Sequence, residues 1–219
     1  MSIQENLSRI RERVERACLK AGRSPDEVTI VAISKTFGVA AIREAYEAGM
    51  HDIGENRVQE AEPKIAELAA QGVRPTWHMV GHLQTNKIKT ALNIFDIIHS
   101  VDSLRLAEAI SRHAARPFPV LLEVSVAGEA SKFGFSLEEI PSAVEAMCWL
   151  PNLDVQGLMT VAPVAADPEE VRWVFRSLRE VRDRLGLRHL SMGMTDDFEV
   201  AIEEGATLVR IGRAIFGER

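Results

Sequence analysis

The chain has 219 residues, 46% of them hydrophobic, 26% charged and 5% aromatic, with a formal net charge of −6. Such a composition excludes a disordered chain, and the acidic balance argues against a nucleic-acid partner while leaving room for a local basic pocket that takes a small anion. No apolar run approaches the roughly 20 residues of a membrane span, so no membrane partner is expected.

The N-terminal stretch MSIQENLSRIRERVERA is charged throughout and lacks the apolar centre of a secretion signal. The two cysteines build neither a disulfide framework nor a zinc site. Both observations predict a cytoplasmic protein in which Cys18 and Cys148 are buried core thiols.

Ile3, Leu7, Ile10, Val14, Ala17, Cys18 and Ala21 recur at helical spacing, and Gly22 and Pro25 mark a stop. The chain therefore opens on one amphipathic helix. The β-branched apolar run 28–35 (VTIVAISK) reads as a strand buried on both faces. A helix over 39–48 follows, stopped by Gly49. Residues 51–55 predict a strand and 58–70 a helix ended by Gly72. Residues 76–81 predict a strand and 85–92 a helix. Residues 96–101 predict a strand and 103–114 a helix with Ser103 as N-cap. Strands are then expected over 119–126, 153–161, 189–193 and 208–212. The helices between them cover 137–150, 168–185 and 196–204, and a short helical tail ends the chain.

Eight strands, each followed by a helix or helical turn, imply parallel pairing in an α/β fold. The count points to a single (β/α)₈ TIM barrel domain over residues 1–219, with the first helix as an addition. An open doubly wound sheet is the alternative, but neither GxGxxG after the first strand nor GxxxxGK[ST] occurs.

In a barrel, function gathers where strands end. Lys35 ends the most apolar strand and is one of only six lysines, with Lys20, Lys64, Lys87, Lys89 and Lys132. An amine drawn out of water there is a candidate nucleophile for a Schiff base with a carbonyl; the alternative is a lysine snorkelling into solvent. In the last strand, alternation places Arg210 and Gly212 on one face. Gly212 admits close backbone approach, and the turn at Arg213 offers free N–H groups. Ser191 and Gly193 of the preceding strand complete an expected anion cup. The alternative pairs Arg210 with a carboxylate and leaves Gly212 a turn residue. Asp196 and Asp197 make the helix that they open a poor phosphate site.

A nucleophilic lysine across the mouth from a phosphate cup suggests a phosphorylated aldehyde. Pyridoxal 5′-phosphate (PLP) fits, because its aldehyde, ring nitrogen and phosphate lie on different sides of one flat ring. Arg210 is the candidate partner of the ring nitrogen. An arginine does not readily give up a full proton there, so the ring stays a weak electron sink.

Other constellations carry less. His78 and His82 are four apart but fall on a strand and a loop, and no metal site is expected from them. No GxSxG occurs. Asp102 reads as a loop or cap residue, Trp77 and Trp149 as core, and Trp173 as part of a helix of mixed polarity. Met192 and Met194 either line the mouth or pack beneath it.

The segments AISKTFGVAAIREAYEAG, DIGENRVQEAEPK, WHMVGHLQTNK, IHSVDS, SKFGF, GLMTV, LSMGMTDDFEVAI and VRIGRAIFG, from about Val31 to Gly217, closely resemble the family of PLP homeostasis proteins (YggS/PROSC type). That family is similar to the barrel domain of alanine racemase, a fold type III PLP binder. The resemblance implies that Lys35 carries PLP as a Schiff base and that Arg210 faces the pyridine nitrogen. It implies a phosphate cup of Ser191, Gly212 and the Arg213 backbone, with Asn56 near the cofactor. It also implies a part in cofactor exchange for Lys132, whose alternative is a solvated loop lysine. Thr195 stands where serine is common, and the connection before the seventh strand is short.

Two-base racemisation needs an acid–base group on each ring face. The racemase fold takes a tyrosine from a second domain, which this chain is expected to lack. The single tyrosine, Tyr46, falls in the first crossover helix, leaving only His78 or His82 as a substitute. The implied function is a monomeric PLP carrier in vitamin B6 homeostasis, without racemase turnover, with PLP-dependent apoenzymes as recipients. A PLP enzyme acting on amino acids and a Schiff-base aldolase of a sugar phosphate are the alternatives.

Overall fold

Residues 2–128 and 133–217 are described by a computed structural model. Eight parallel strands close into a barrel in strict chain order. They are β1 (Thr29–Ile33), β2 (Asp52–Glu55), β3 (Thr76–Met79), β4 (Ile97–Val101), β5 (Phe118–Glu123), β6 (Leu153–Met159), β7 (His189–Ser191) and β8 (Leu208–Ile211). β1 closes the ring by pairing with both neighbours: Ile33 lies opposite Gly54 of β2, and Val31 opposite Arg210 of β8. The open doubly wound sheet is thereby excluded.

The helices are α1 (Ile3–Lys20), α2 (Val39–Glu47), α3 (Val58–Ala70), α4 (Ile88–Ile94), α5 (Leu104–His113), α6 (Ile140–Met147), α7 (Arg172–Arg184), α8 (Phe198–Glu203) and α9 (Arg213–Phe216). α1 is the added element. Ser2 and Glu5 form a capping box at its start. Its face of Leu7, Ile10, Val14 and Cys18 is buried, and it packs on α2, α8 and α9. Arg23 anchors its far end by donating to the carbonyls of Ile202 and Ala206 at 2.8 and 2.9 Å.

Two cores follow from strand alternation. Outside the barrel, side chains such as Ile42, Ile53, Phe175 and Phe198 fill the layer between strands and helices. Each buried side chain of this size is worth about 1.5–3 kcal/mol. Inside it, Val31, Ile33, Ile97, Leu121, Met159 and Leu208 form a second, smaller cluster. Gly54 leaves space there: a Cβ on it would stand 2.5 Å from the Ile33 side chain.

Several expectations need correction. The sixth helix covers Ile140–Met147 rather than 137–150. Cys148 is therefore exposed and not a core thiol, and Trp149 is 84% exposed and not a core residue. The buried face of that helix is Ile140, Ala143 and Met147, and the two residues after it turn away. Residues 85–87 form a 3₁₀ turn before α4, and Pro168–Val171 form another before α7. Trp77 and Cys18 are buried as expected, and Ser103 caps α5 by accepting from the Leu106 N–H.

Candidate functional site

The carboxyl ends of the strands surround a cavity of about 470 Å³. Lys35, Phe37, Met194, Arg210, Gly212 and Arg213 line it. Val31 and Ile33 point into the barrel, so alternation turns Ser34 outward and brings Lys35 to the interior side at the mouth.

The backbone around Lys35 is held by an ion cluster. Ser34 Oγ donates to Glu55 Oε1 at 2.6 Å, and Lys64 Nζ donates to the same oxygen at 2.8 Å. Lys64 also donates to the Ser34 carbonyl at 3.1 Å and to Glu60 Oε1 at 2.9 Å. Glu60 in turn accepts the Thr36 N–H. Both peptide neighbours of Lys35 are thus fixed to α3. Thr36 sits at φ +70°, in the left-handed region that a β-branched residue rarely enters. The strain, about 1–2 kcal/mol, is held by the Glu60 contact. Burial pushes the Glu55 carboxyl up, against the opposing pull of Lys64 and Ser34. Burial also acts upward on Glu60, but Lys64 and the Thr36 N–H outweigh it and bring that carboxyl down.

Arg210 forms the other wall. Its guanidinium is buried and donates from Nη1 to Ser191 Oγ at 2.6 Å and from Nη2 to the Thr160 carbonyl at 2.8 Å. Both acceptors are neutral. Burial lowers its pKa to about 10, opposed by the charges of Asp197 and Glu123, so it remains a cation at neutral pH. Asp197 is itself pushed up by burial while accepting the Met194 N–H at 2.6 Å.

Gly212 passes close to β1: a Cβ on it would stand 3.2 Å from the Ile33 carbonyl oxygen. The first-turn N–H groups of α9, at Arg213 and Ala214, have no intrahelical acceptor. The Arg213 side chain pairs with Asp196 at 2.6 Å.

Four of the expected site residues, Lys35, Arg210, Gly212 and Arg213, share this cavity. Ser191, Gly193 and Asn56 do not line it. The three-residue β7 turns the Ser191 hydroxyl into the barrel interior, against Arg210 and His99. Ser191 thus lies on the same interior side as Arg210, with its hydroxyl against the guanidinium. Gly193, at φ +88°, lies against α8, where a Cβ would stand 2.8 Å from the Phe198 Cα. Asn56 borders another cavity with Arg57, Gly81, His82 and Lys87. Lys132 lies outside the described residues.

His78 and His82 face different partners. His78 is buried against His99 and Asp52, whereas His82 pairs with Asp102 at 2.9 Å and stacks on Phe133. Asp102 is thus a loop residue rather than a cap. Met192 is buried beneath the mouth and Met194 lines it. The single tyrosine, Tyr46, packs edge-on against His51, which precedes β2 at the end of the barrel away from the mouth.

Sequence reasoning missed the Glu55–Glu60–Lys64 cluster and the role of Thr36. One signal was available: Glu60 and Lys64 have the i, i+4 spacing of a helical ion pair. It also missed Asp52 and His99.

Residues 3–219 match the alanine racemase N-terminal domain family. The chain is 46% identical to a pyridoxal phosphate homeostasis protein of Aquifex aeolicus, over 100% of this chain and 99% of that one. It superposes with a TM-score of 0.85 on PipY of Synechococcus elongatus PCC7942 in a structure with PLP bound, at 37% identity over 99% of this chain and 100% of that one. An alanine racemase of Clostridium difficile 630 shares the fold at a TM-score of 0.76 and 14% identity, over 100% of this chain and 57% of the racemase. With this barrel, and with relatives of this identity over their whole length, the chain belongs to the pyridoxal phosphate homeostasis protein family, within the alanine racemase N-terminal domain family.

Proposed function

We propose that this protein binds PLP through Lys35 and serves as a cytoplasmic PLP carrier in vitamin B6 homeostasis. The observation that carries the reading is the cavity itself: an amine on a clamped backbone faces a buried guanidinium and a glycine turn across about 470 Å³. That volume suits a small ligand.

The residues present fit the group. Lys35 supplies the amine for a Schiff base with the aldehyde. Gly212 is a place where a side chain would crowd the Ile33 carbonyl, so backbone can approach a phosphate there. The first-turn N–H groups at Arg213 and Ala214 offer donors to it. Arg210 keeps its proton and presents a hydrogen-bond donor rather than an acid to the ring nitrogen. PLP, when bound, supplies an electrophilic aldehyde and an electron-withdrawing ring. The resemblance extends the assignment to Asn56 at the rim and to Lys132 in exchange.

A carrier is favoured over a racemase by the placement of the acid–base groups. Tyr46 packs at the far end of the barrel, and His78 is committed to interior partners. Neither reaches the mouth, and His82, paired with Asp102 and stacked on Phe133, borders another cavity, so none of the three is placed to serve the second face of a ring. PLP-dependent apoenzymes are the proposed recipients. A monomer is the proposed state, and the exposed large apolar side chains Leu19, Leu104, Trp149 and Trp173 come from separate elements.

The test is spectroscopic. Protein mixed with PLP should gain a visible absorption band, and borohydride should abolish the band and leave the cofactor mass on the Lys35 peptide. Lys35→Ala should take up no borohydride-stable label. A protein that stays colourless at saturating PLP overturns the reading. Loss of optical rotation from a common L-amino acid at enzyme-like rates would replace the carrier with an enzyme.

A further inference from the structure

The barrel interior holds one continuous polar file. Arg210 Nη1 donates to Ser191 Oγ at 2.6 Å, and Ser191 Oγ lies 2.9 Å from His99 Nδ1. His99 Nε2 lies 2.9 Å from His78 Nδ1, and His78 Nε2 lies 3.0 Å from Asp52 Oδ1. The file runs from the mouth, where Arg210 lines the cavity, to the first residue of β2 at the opposite end. Arg210, Ser191, His99 and His78 are all buried, and only the Asp52 side chain, at 30% exposure, reaches water.

With both imidazoles neutral and Asp52 ionised, the two ends of the file set one direction for its bonds, since a carboxylate only accepts. A guanidinium has donors only. Ser191 therefore accepts from Arg210 and gives its own hydrogen to His99 Nδ1, which must be bare. His99 then carries its hydrogen on Nε2 and donates to His78 Nδ1. His78 likewise carries its hydrogen on Nε2 and donates to the Asp52 carboxylate. The reverse polarity would aim two donors at the Ser191 oxygen and leave the hydroxyl hydrogen outside the file. His99 stays a neutral imidazole: burial foremost, with Arg210 and the neighbouring His78 and His189 rings also opposing a positive charge there, holds its pKa well below the ordinary value.

Arg210 is a buried cation whose two hydrogen bonds go to neutral oxygens, with Asp197 and Glu123 acting on it only through space. A buried charge needs compensation, and aligned hydrogen bonds polarise one another. We propose that Asp52, His78, His99 and Ser191 are positioning residues for Arg210. They form a one-directional hydrogen-bond relay through which a carboxylate at the amino-terminal end of the barrel orients the guanidinium at the mouth and tunes the donor it offers a ring nitrogen. The ligand end of this inference rests on the PLP reading above; the relay itself belongs to the protein alone.

Histidine-selective ¹⁵N–¹H spectra of the ligand-free protein test the relay. His78 and His99 are expected as Nε2–H tautomers with slowly exchanging, low-field ring protons. Asp52→Ala removes the terminal acceptor from a partly exposed site, and should shift the ring signals of His99 as well as His78 and speed their exchange. Asp52→Asn keeps an acceptor but removes its charge; it should shift the same signals by less, and serves if the alanine variant folds poorly. His99 found as the Nδ1–H tautomer, or His99 signals unmoved in both variants, overturns the relay. PLP titration gives the second arm: Asp52→Ala should raise the PLP Kd about three- to tenfold, the range of a weakened hydrogen bond to a charged group, and move the absorption maximum. Wild-type protein that binds no PLP but shows both tautomers sinks the function and supports the relay. PLP bound equally tightly and with the same spectrum by wild type and Asp52→Ala overturns the tuning.

Discussion

Replacing Lys64 with methionine removes the centre of the cluster that holds Lys35. Glu55 is 0% exposed, and its Oε1 is shared by Lys64 and Ser34, while its Oε2 has no hydrogen-bond partner. Without Lys64 the carboxylate keeps one hydroxyl donor in a dry site. Breaking a buried pair from one side costs about 3–5 kcal/mol, and Glu55 can limit the loss by taking up a proton. The sign with pH follows. The folded-state pKa of Glu55 already lies above the ordinary value through burial, so its contribution to stability is present below that value and lost as pH rises through the folded one. Lys64→Met removes the group that pulls this pKa down, which extends the loss to higher pH. Urea denaturation at about pH 5 and about pH 8 should show the gap to wild type widening with pH, by about 1.4 kcal/mol per unit of further pKa rise. Lys64→Met/Glu55→Gln should recover most of the gap and flatten it. A cost below about 1 kcal/mol at both pH values, or a gap that does not change, would refute the buried-pair account.

Thr36→Gly relieves the left-handed strain next to Lys35. It should be neutral or stabilising by up to about 1 kcal/mol, the relief being offset by glycine's larger unfolded-state entropy; a clear drop in Tm would show that Thr36 is not strained. Gly81→Ala would place a Cβ 2.3 Å from the Asn56 carbonyl oxygen. Moving that loop should cost about 1–3 kcal/mol and shift the Asn56 amide signal, and an unshifted signal would count against the packing described. Glu204 is met by Arg172, Arg176 and Arg179 at 3.1, 2.9 and 3.0 Å. Burial acts upward on its carboxyl, but the arginines outweigh it and bring the pKa down. The resulting stability is present above the unfolded pKa and lost as pH falls through the folded one. Glu204→Gln should therefore cost about 2–4 kcal/mol at neutral pH, with the gap closing in acid; a gap that persists in acid would rule this out.

The barrel was legible because its signals are local. β-branched runs such as 28–35 and glycine stops such as Gly49 and Gly72 need no knowledge of distant contacts. The ends of elements were less legible: Leu137 and Leu150 continue an apolar pattern beyond the helix that buries Ile140, Ala143 and Met147. Trp149 was misplaced for that reason. Lys35 and Arg210 stood out because each closes a strand at the functional end of a barrel. Ser191 lies on the Arg210 side of the barrel, but spacing alone does not show that its hydroxyl is taken up by the guanidinium and His99. The Ser34–Glu55–Lys64 contacts join three elements that sequence order keeps apart, so spacing alone shows only Glu60 with Lys64.

Strand β2 links the supports of the two site walls. Asp52 and Glu55 are three residues apart, and in a strand with a period of two they must face opposite sides. Asp52 points into the barrel toward His78, and Glu55 points outward toward Lys64 on α3. The inner residue begins the file that ends at Arg210. The outer one anchors the cluster that sets Lys35. The two supports share a strand and no side chain, so their perturbations should separate. Lys64→Met should change the reactivity of Lys35 toward an aldehyde and leave the His99 ring signals in place, and Asp52→Ala should do the converse. A variant that moves both readouts together would mean that β2 shifts as a rigid piece and that the walls of the cavity are coupled through it.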